Sequence, residues 1–375
     1  MDVPFWVWAL TVGVIVGMLV FDLVGHVRTP HAPTLRESAI WSAVYVGIAI
    51  VFGFLVWWGW GAGFAGEYFA GYVTEKSLSV DNLFVFVLIM AAFGVPRELQ
   101  QKVLLFGITF ALVLRTVFIL VGAAAIANFS WVFYLFGAIL IYTAWVQARS
   151  GGHSDEEDFK ENAVLRFARK RLRTTDEYHS DRMTVRLDGK RFLTPLAITL
   201  IAIGTADVIF AVDSIPAIFG LTQETYLVFA ANAFSLLGLR QLFFLIDGLL
   251  DRLVYLAYGL AVILGFIGVK LVIHALHKNE LPFVNGGEAV TVIPEVPITI
   301  SLLVILATLV VTTVASLWRV RRDRREHVVA EAAAADPTAL SAVDGAPVDD
   351  VPMSSGSDAE RAGSVSAANP GRREH

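Results

Sequence analysis

Cysteine is absent from this chain of 375 residues. Disulfides, zinc-thiolate centres, iron–sulfur clusters and thiol nucleophiles are therefore excluded. Charge is scarce: 17% of residues are charged, against about 25% in an ordinary soluble domain. Lys and Arg number 29 and Asp and Glu 34, a formal net charge of −5, so no nucleic-acid partner is expected. A Gly-x-x-x-x-Gly-Lys-Ser/Thr phosphate loop is missing, so ATP drive would need another chain. The opening run Met1-Asp2-Val3-Pro4-Phe5-Trp6 has no basic segment, and no small-residue cleavage site follows, so a cleaved signal peptide is not expected.

Apolar residues fill the space that charge leaves. They make up 56% of the chain, with 9 Trp and 26 Phe, and mean hydropathy is +0.65. Such a composition predicts an all-α polytopic membrane protein. A hydrocarbon core about 30 Å thick needs about 20 apolar residues in a helix. Nine stretches qualify: 5–24, 38–58, 69–93, 103–125, 129–147, 194–219, 225–246, 253–274 and 298–318. The membrane portions are then 1–147 (spans one to five) and 194–320 (spans six to nine).

Basic residues mark the cytoplasmic loops. Arg28 and Arg36 lie in loop 25–37, Arg97 and Lys102 in loop 94–102, and 11 Lys/Arg in segment 148–193. The last span runs into Arg319, Arg321, Arg322, Arg324 and Arg325, whereas loops 59–68 and 126–128 carry no Lys or Arg. The expected topology is multi-pass in the cell membrane, N-terminus outside and C-terminus cytoplasmic. Segment 148–193 reads as a cytoplasmic loop, with room for an amphipathic helix around Val164–Leu172. Residues 321–375 read as a disordered cytoplasmic tail, since the composition from 328 onward offers too few large apolar side chains to fold.

Carboxylates within the membrane are costly and mark functional positions. Two spans carry a pair each. The third contains Glu75-Lys76-Ser77-Leu78-Ser79-Val80-Asp81-Asn82, and the sixth contains Asp207-Val208-Ile209-Phe210-Ala211-Val212-Asp213-Ser214. Both read as acid, five residues, then Val-Asp and a small polar residue. Downstream, Phe110-Ala111-Leu112-Val113-Leu114-Arg115 parallels Phe234-Ser235-Leu236-Leu237-Gly238-Leu239-Arg240 with one residue inserted. Spans three to five thus resemble spans six to eight. Separated by three crossings, the copies run in opposite directions, an inverted three-helix repeat of the kind transporters place around a midplane site.

Six residues on an ideal helix leave the two acids of a span about 120° apart. Either one acid binds and the other lines the route, or the helix is broken; Pro216 and Gly204 give the sixth span room for a break, and the third span has no such proline. Four acids with Asn82, Ser214, Ser77 and Ser79 offer oxygen donors of the kind Mg²⁺, Ca²⁺ or Mn²⁺ take. The alternative is internal pairing with Lys76, Arg115 or Arg240 that only holds helices together. Asp22 and Asn232 are secondary candidates, Asp22 at the inner end of its span and Asn232 as a ligand or an interhelical hydrogen bond. Asp247 and Asp251 flank a cytoplasmic turn, His274 reads as interfacial, and Gly13 and Gly17 form a small-residue packing face.

The runs Glu75–Asn82 and Asp207–Phe219 resemble the two signature motifs of TerC-family membrane proteins, and the likeness covers residues 1–320. The label stands for tellurium resistance protein C, and the resemblance implies an inverted-repeat fold and a link to efflux of manganese, in some relatives calcium. It makes Glu75, Asp81, Asp207 and Asp213 the candidate metal-binding acids, with Asn82 and Ser214 beside them. The expected function is export of a divalent cation, Mn²⁺ first and Ca²⁺ second, in exchange for protons. Asp81 and Asp213 would bind the ion; Glu75 and Asp207 would tune the site or shuttle protons. No resident cofactor is expected, and the partners are the lipid bilayer, the metal ion and protons. Two other classes compete: a non-transporting scaffold for tellurium or metal stress, and an intramembrane aspartyl enzyme.

Overall fold

The computed structural model describes residues 1–26, 34–150, 175, 182–187, 190–246, 255–282 and 284–335. It divides into two units, Met1–Ser316 and Leu317–His375. Ten α-helices are described: α1 (Phe5–His26), α2 (Leu35–Trp60), α3 (Ala62–Ala92), α4 (Arg97–Asn128), α5 (Val132–Ser150), α6 (Pro195–Phe219), α7 (Thr225–Leu236), α8 (Leu239–Ile246), α9 (Leu256–His277) and α10 (Ile298–Ala335). Among the described residues eight spans are long and apolar enough to cross a membrane, with α7 and α8 together forming one of them. The ninth expected span, α3, has 31 residues, about 46 Å at 1.5 Å per residue, but carries Glu67, Glu75, Lys76 and Asp81 along its length. The chain is a polytopic membrane protein of the all-α class, its described spans all helical.

Local sequence sets the helix ends. Thr34 caps α2 by accepting from the Glu37 backbone N–H at 3.2 Å, satisfying a donor the first turn cannot use itself. Gly61, at φ +100, is the one residue between α2 and α3, a backbone region open to glycine. Pro195 opens α6, where its missing N–H is not needed.

Three expectations change here. The sixth span is not broken: α6 runs through Pro216 to Phe219, because the proline lies one turn from the end and interrupts little of the ladder. The break falls in the seventh span, where Leu237 leaves the helix and Gly238 takes φ +78. This glycine belongs to the run Phe234–Arg240, which has one residue more than the Phe110–Arg115 run it parallels in sequence. Segment 148–193 is not wholly loop, since Thr184–Leu187 and Lys190–Leu193 pair as antiparallel strands β1 and β2, Thr184 opposite Leu193. The proposed amphipathic helix at 164–172, Arg28, Asp247 and Asp251 lie outside the described residues. Helix α10 runs on to Ala335, so the first residues read as tail are helical; 336–375 lie outside the described residues.

Burial runs from the centre outward. The apolar stretch of α7–α8 is 89% buried and that of α10 only 11%, so α7 is the hub and α10 contributes little to the core. Aromatic rings fasten α1, α2 and α3 to the hub: Phe52 lies 4.7 Å from Phe234 and 5.0 Å from Tyr68, and Trp8 meets Tyr226 at 4.9 Å. The most extensive packing joins α5 to α9. There a Cβ on Gly137 would lie 3.0 Å from the Gly268 carbonyl, and one on Gly268 would lie 3.1 Å from the Gly137 carbonyl. Helix α3 packs on α7, α4 on α6 and α5 on α9; exchanging the triplets α3–α4–α5 and α6–α7/8–α9 leaves that scheme unchanged. Gly13 and Gly17 have no neighbouring atom within 4 Å of an added Cβ, so their small-residue face packs against no described residue of this chain.

Candidate cation site

On α3, Glu75, Ser79 and Asn82 stand at i, i+4 and i+7, one face of the helix, and all three are buried. On α6 the same positions are Asp207, Ala211 and Ser214, also buried. The duplicated pattern therefore presents one acid and one small polar residue from each helix on a buried face. Asp81 and Asp213, six residues further on, turn to another side and are partly buried.

The four acids do not meet at one point; they form two pairs with different partners. Arg115 of α4, fully buried, donates Nη1 to Glu75 Oε1 and Nη2 to Asp207 Oδ1, the latter at 3.1 Å. Asn232 Nδ2 of α7 also donates to Glu75 Oε1, at 2.8 Å, which makes Asn232 an interhelical hydrogen bond. With its amide turned to satisfy both ends, Asn82 accepts from Arg115 Nη2 and donates to the Leu78 carbonyl, each at 3.1 Å. Internal pairing, the alternative at the sequence level, is thus realised for Glu75 and Asp207.

Asp81 and Asp213 are held differently. Gln147 Nε2 donates to Asp81 Oδ2 at 3.2 Å, and Thr143 Oγ1 donates to Asp213 Oδ1 at 2.9 Å. Thr143 and Gln147 are one turn apart on α5, where i, i+4 Cβ atoms lie roughly 5–6 Å apart. One turn of a third helix therefore gathers an acid from α3 and an acid from α6. Among the described residues no Lys, Arg or His forms an ion pair with either acid. Lys76, next to Glu75 in sequence, donates to the Ser235 carbonyl at 3.0 Å.

Several buried oxygens in the acid-bearing turns have no partner: Thr74 Oγ1, Ser79 Oγ, Ser214 Oγ, Glu75 Oε2 and Asp207 Oδ2. Unpaired buried polar atoms are rare in proteins and point to water, an ion or strain. Ser77 is not among them, since it donates to the Val73 carbonyl at 2.7 Å. Among the described residues, no three His, Cys, Asp or Glu side chains are grouped to hold a metal; the available set is two carboxylates with hydroxyl and amide oxygens.

Asp22 is turned into the bundle. It is buried on α1, accepts from Tyr45 OH at 2.7 Å, and pairs with Arg240 Nη2 at 3.2 Å. The two arginines that the repeat aligns thus have different partners, because Gly238 breaks the helix just before Arg240. His274 lines a cavity of about 370 Å³ with Glu67, Lys270 and Glu295, and another cavity, about 620 Å³, lies at the ends of α4, α5, α6 and α9. Neither is lined by Glu75, Asp81, Asp207 or Asp213.

The residues that place these acids also decide the family. The model of the integral membrane protein TerC family matches residues 60–324. This chain belongs to the TerC family. It is 57% identical over 328 residues to an uncharacterized membrane protein of Mycobacterium tuberculosis, covering 87% of this chain and 82% of that one. It is 38% identical over 269 residues to another uncharacterized membrane protein, from Myxococcus xanthus (71% and 83% covered). A relative in Escherichia coli (strain K12) bearing the name "Putative membrane-bound redox modulator Alx" is 37% identical over 328 residues (85% and 96% covered). No solved structure matches. The TerC match begins at Trp60, so both acid pairs, Arg115, Thr143 and Gln147 lie inside it, while Asp22 and Tyr45 precede it.

Sequence reasoning missed Thr143, Gln147 and Glu67. Thr143 and Gln147 carry a signal in retrospect: two polar residues at i, i+4 in an apolar span share one helix face. Glu67 stands eight residues before Glu75 on α3 and accepts from Thr222 Oγ1 at 2.5 Å.

Proposed function

We propose that this TerC-family protein exports a divalent cation, Mn²⁺ first and Ca²⁺ second, in exchange for protons, and that Asp81 and Asp213 bind the ion. One observation carries the proposal: two acids from two helices face one turn of α5, where among the described residues their side-chain donors are neutral. Two carboxylates without a counter-cation in a low-dielectric bundle need a divalent cation or protons to coexist, and alternating between these is an exchange cycle. Thr143 and Gln147 add hydroxyl and amide oxygens, donors that suit Mn²⁺, Mg²⁺ or Ca²⁺ better than softer metals. In this reading spans three to five and six to eight are an inverted repeat, supported by the packing scheme of the two triplets.

The bundle would stand with its N-terminus outside and C-terminus in the cytoplasm, as the basic loops suggest. Because the chain has no cysteine, single cysteines placed at Gly63 and at Arg319 would report the orientation by labelling with a membrane-impermeant maleimide. The redox name of the relative would be reached here through the metal moved, since thiol chemistry is closed to this chain.

Everted vesicles test the function. Wild-type vesicles are expected to take up Mn²⁺ and to dissipate an imposed pH gradient as they do so, and Asp81→Asn or Asp213→Asn to abolish both while inserting normally. Wild-type rates in either variant would refute the reading. A scaffold without transport is favoured by one observation, the buried Glu75–Arg115–Asp207 bridge, and predicts metal resistance that survives both substitutions. An intramembrane aspartyl enzyme would place two acids on one proton; Asp81 and Asp213 instead hold separate donors on α5.

A further inference from the structure

The Glu75–Asp207 pair already contains a cation. The Arg115 guanidinium is fully buried, reaches one acid from each copy of the repeat, and faces the Asn82 amide oxygen. A guanidinium stays charged in any protein setting, and its planar fork can serve two carboxylates at once. Two ionised acids around one arginine keep a single surplus negative charge. A divalent cation added there would overshoot neutrality and stand beside a like charge, which a low-dielectric interior penalises heavily. Among the described residues Asp81 and Asp213 present the opposite balance, two carboxylates and two neutral donors. A divalent ion matches the second pair and not the first.

The break at Gly238 accounts for there being one such arginine at the acids. Arg240, the residue the repeat aligns with Arg115, follows Gly238 and pairs with Asp22 at 3.2 Å. Removing the Arg115 guanidinium would leave Glu75 and Asp207 facing Asn232 and Asn82, with Glu75 Oε2 and Asp207 Oδ2 lacking partners even now. The two carboxylates and the Asn82 amide oxygen are then an oxygen-donor set of the kind a second divalent cation takes.

We propose that Arg115 is a resident counter-cation that bars the cargo from Glu75 and Asp207, so that the chain holds one divalent cation, at Asp81 and Asp213, instead of two. The proposal rests on the cation-transport reading above, and it makes Arg115 a determinant of how many ions are bound.

Equilibrium binding of radioactive Mn²⁺ to the purified full-length chain in detergent tests it by counting ions per protein. The wild type is expected to bind one equivalent, lost in Asp213→Asn, and Arg115→Gln to bind two. One equivalent in a monodisperse Arg115→Gln protein, or two in the wild type, would overturn the proposal. Should Arg115→Gln not be recovered folded, Arg115→Lys decides: with a positive charge retained, it is expected to bind one equivalent, and two would overturn the proposal. The two readings fail separately. Absence of binding in the wild type, or binding that survives Asp213→Asn, removes the cation site itself. One equivalent in the wild type, lost in Asp213→Asn and still one in Arg115→Gln, removes only the role given to Arg115.

Discussion

Asp81 accepts its hydrogen bond from Gln147, a residue 66 positions along the chain and on a different helix, at 3.2 Å. One turn earlier on α5, Thr143 does the same for Asp213 at 2.9 Å. A single helical turn of α5 therefore holds one acid of α3 and one acid of α6.

Loss of either donor should weaken the ion site. A hydrogen bond to a charged group contributes about 1.5–3 kcal/mol, and about 1.4 kcal/mol is a factor of ten in affinity. Thr143→Val and Gln147→Leu are each expected to raise the Mn²⁺ concentration for half-maximal uptake by about tenfold or more in everted vesicles. Unchanged half-saturation in both variants would mean that α5 does not shape the site.

Gly238 should tolerate no side chain. Its φ is +78, and an added Cβ would sit 2.9 Å from Tyr45 Cβ. The left-handed conformation alone costs an alanine roughly 1–2 kcal/mol. Gly238→Ala is expected to lower the midpoint of thermal unfolding in detergent, whereas Gly63→Ala, with nothing within 4 Å, is expected to change it little.

The Asp22–Arg240 pair offers a test of sign. Removing one partner of a buried ion pair costs about 3–5 kcal/mol, whereas replacing both by apolar residues of similar volume is often neutral or stabilising. Asp22→Leu and Arg240→Met are each expected to destabilise the protein strongly in denaturant unfolding, and the double variant to recover much of that loss. Additive losses would show that the two residues act independently.

Gly137 and Gly268 should be limited by backbone contact. Overpacking a tight interface costs about 1–3 kcal/mol, and here the obstacle to an added side chain includes the facing helix's carbonyl oxygen. Gly137→Val is expected to lower thermal stability and Mn²⁺ uptake together, since α5 also carries Thr143 and Gln147. Retained uptake at reduced stability would separate α5 packing from the site.

Composition and pattern were sufficient for part of this protein. Apolar runs of membrane length dictated helices, since lipid leaves the backbone no other partner for its N–H and C=O groups, and the acid-x₅-acid pattern picked out α3 and α6. The one-residue insertion around Gly238 was also visible, although Pro216 drew attention to the wrong span. Tertiary structure decided how the acids divide. A six-residue spacing turns the second acid about 120° from the first, but which helix waits on each side depends on packing between segments far apart in sequence. Arg115 lies 40 residues from Glu75 and 92 from Asp207, so the merging of one pair into an ion bridge is set by where α4 packs. The packing of α5 on α6 brings Thr143 to Asp213, and Gln147 one turn on reaches Asp81, so that of the four acids these two have no positive partner among the described residues.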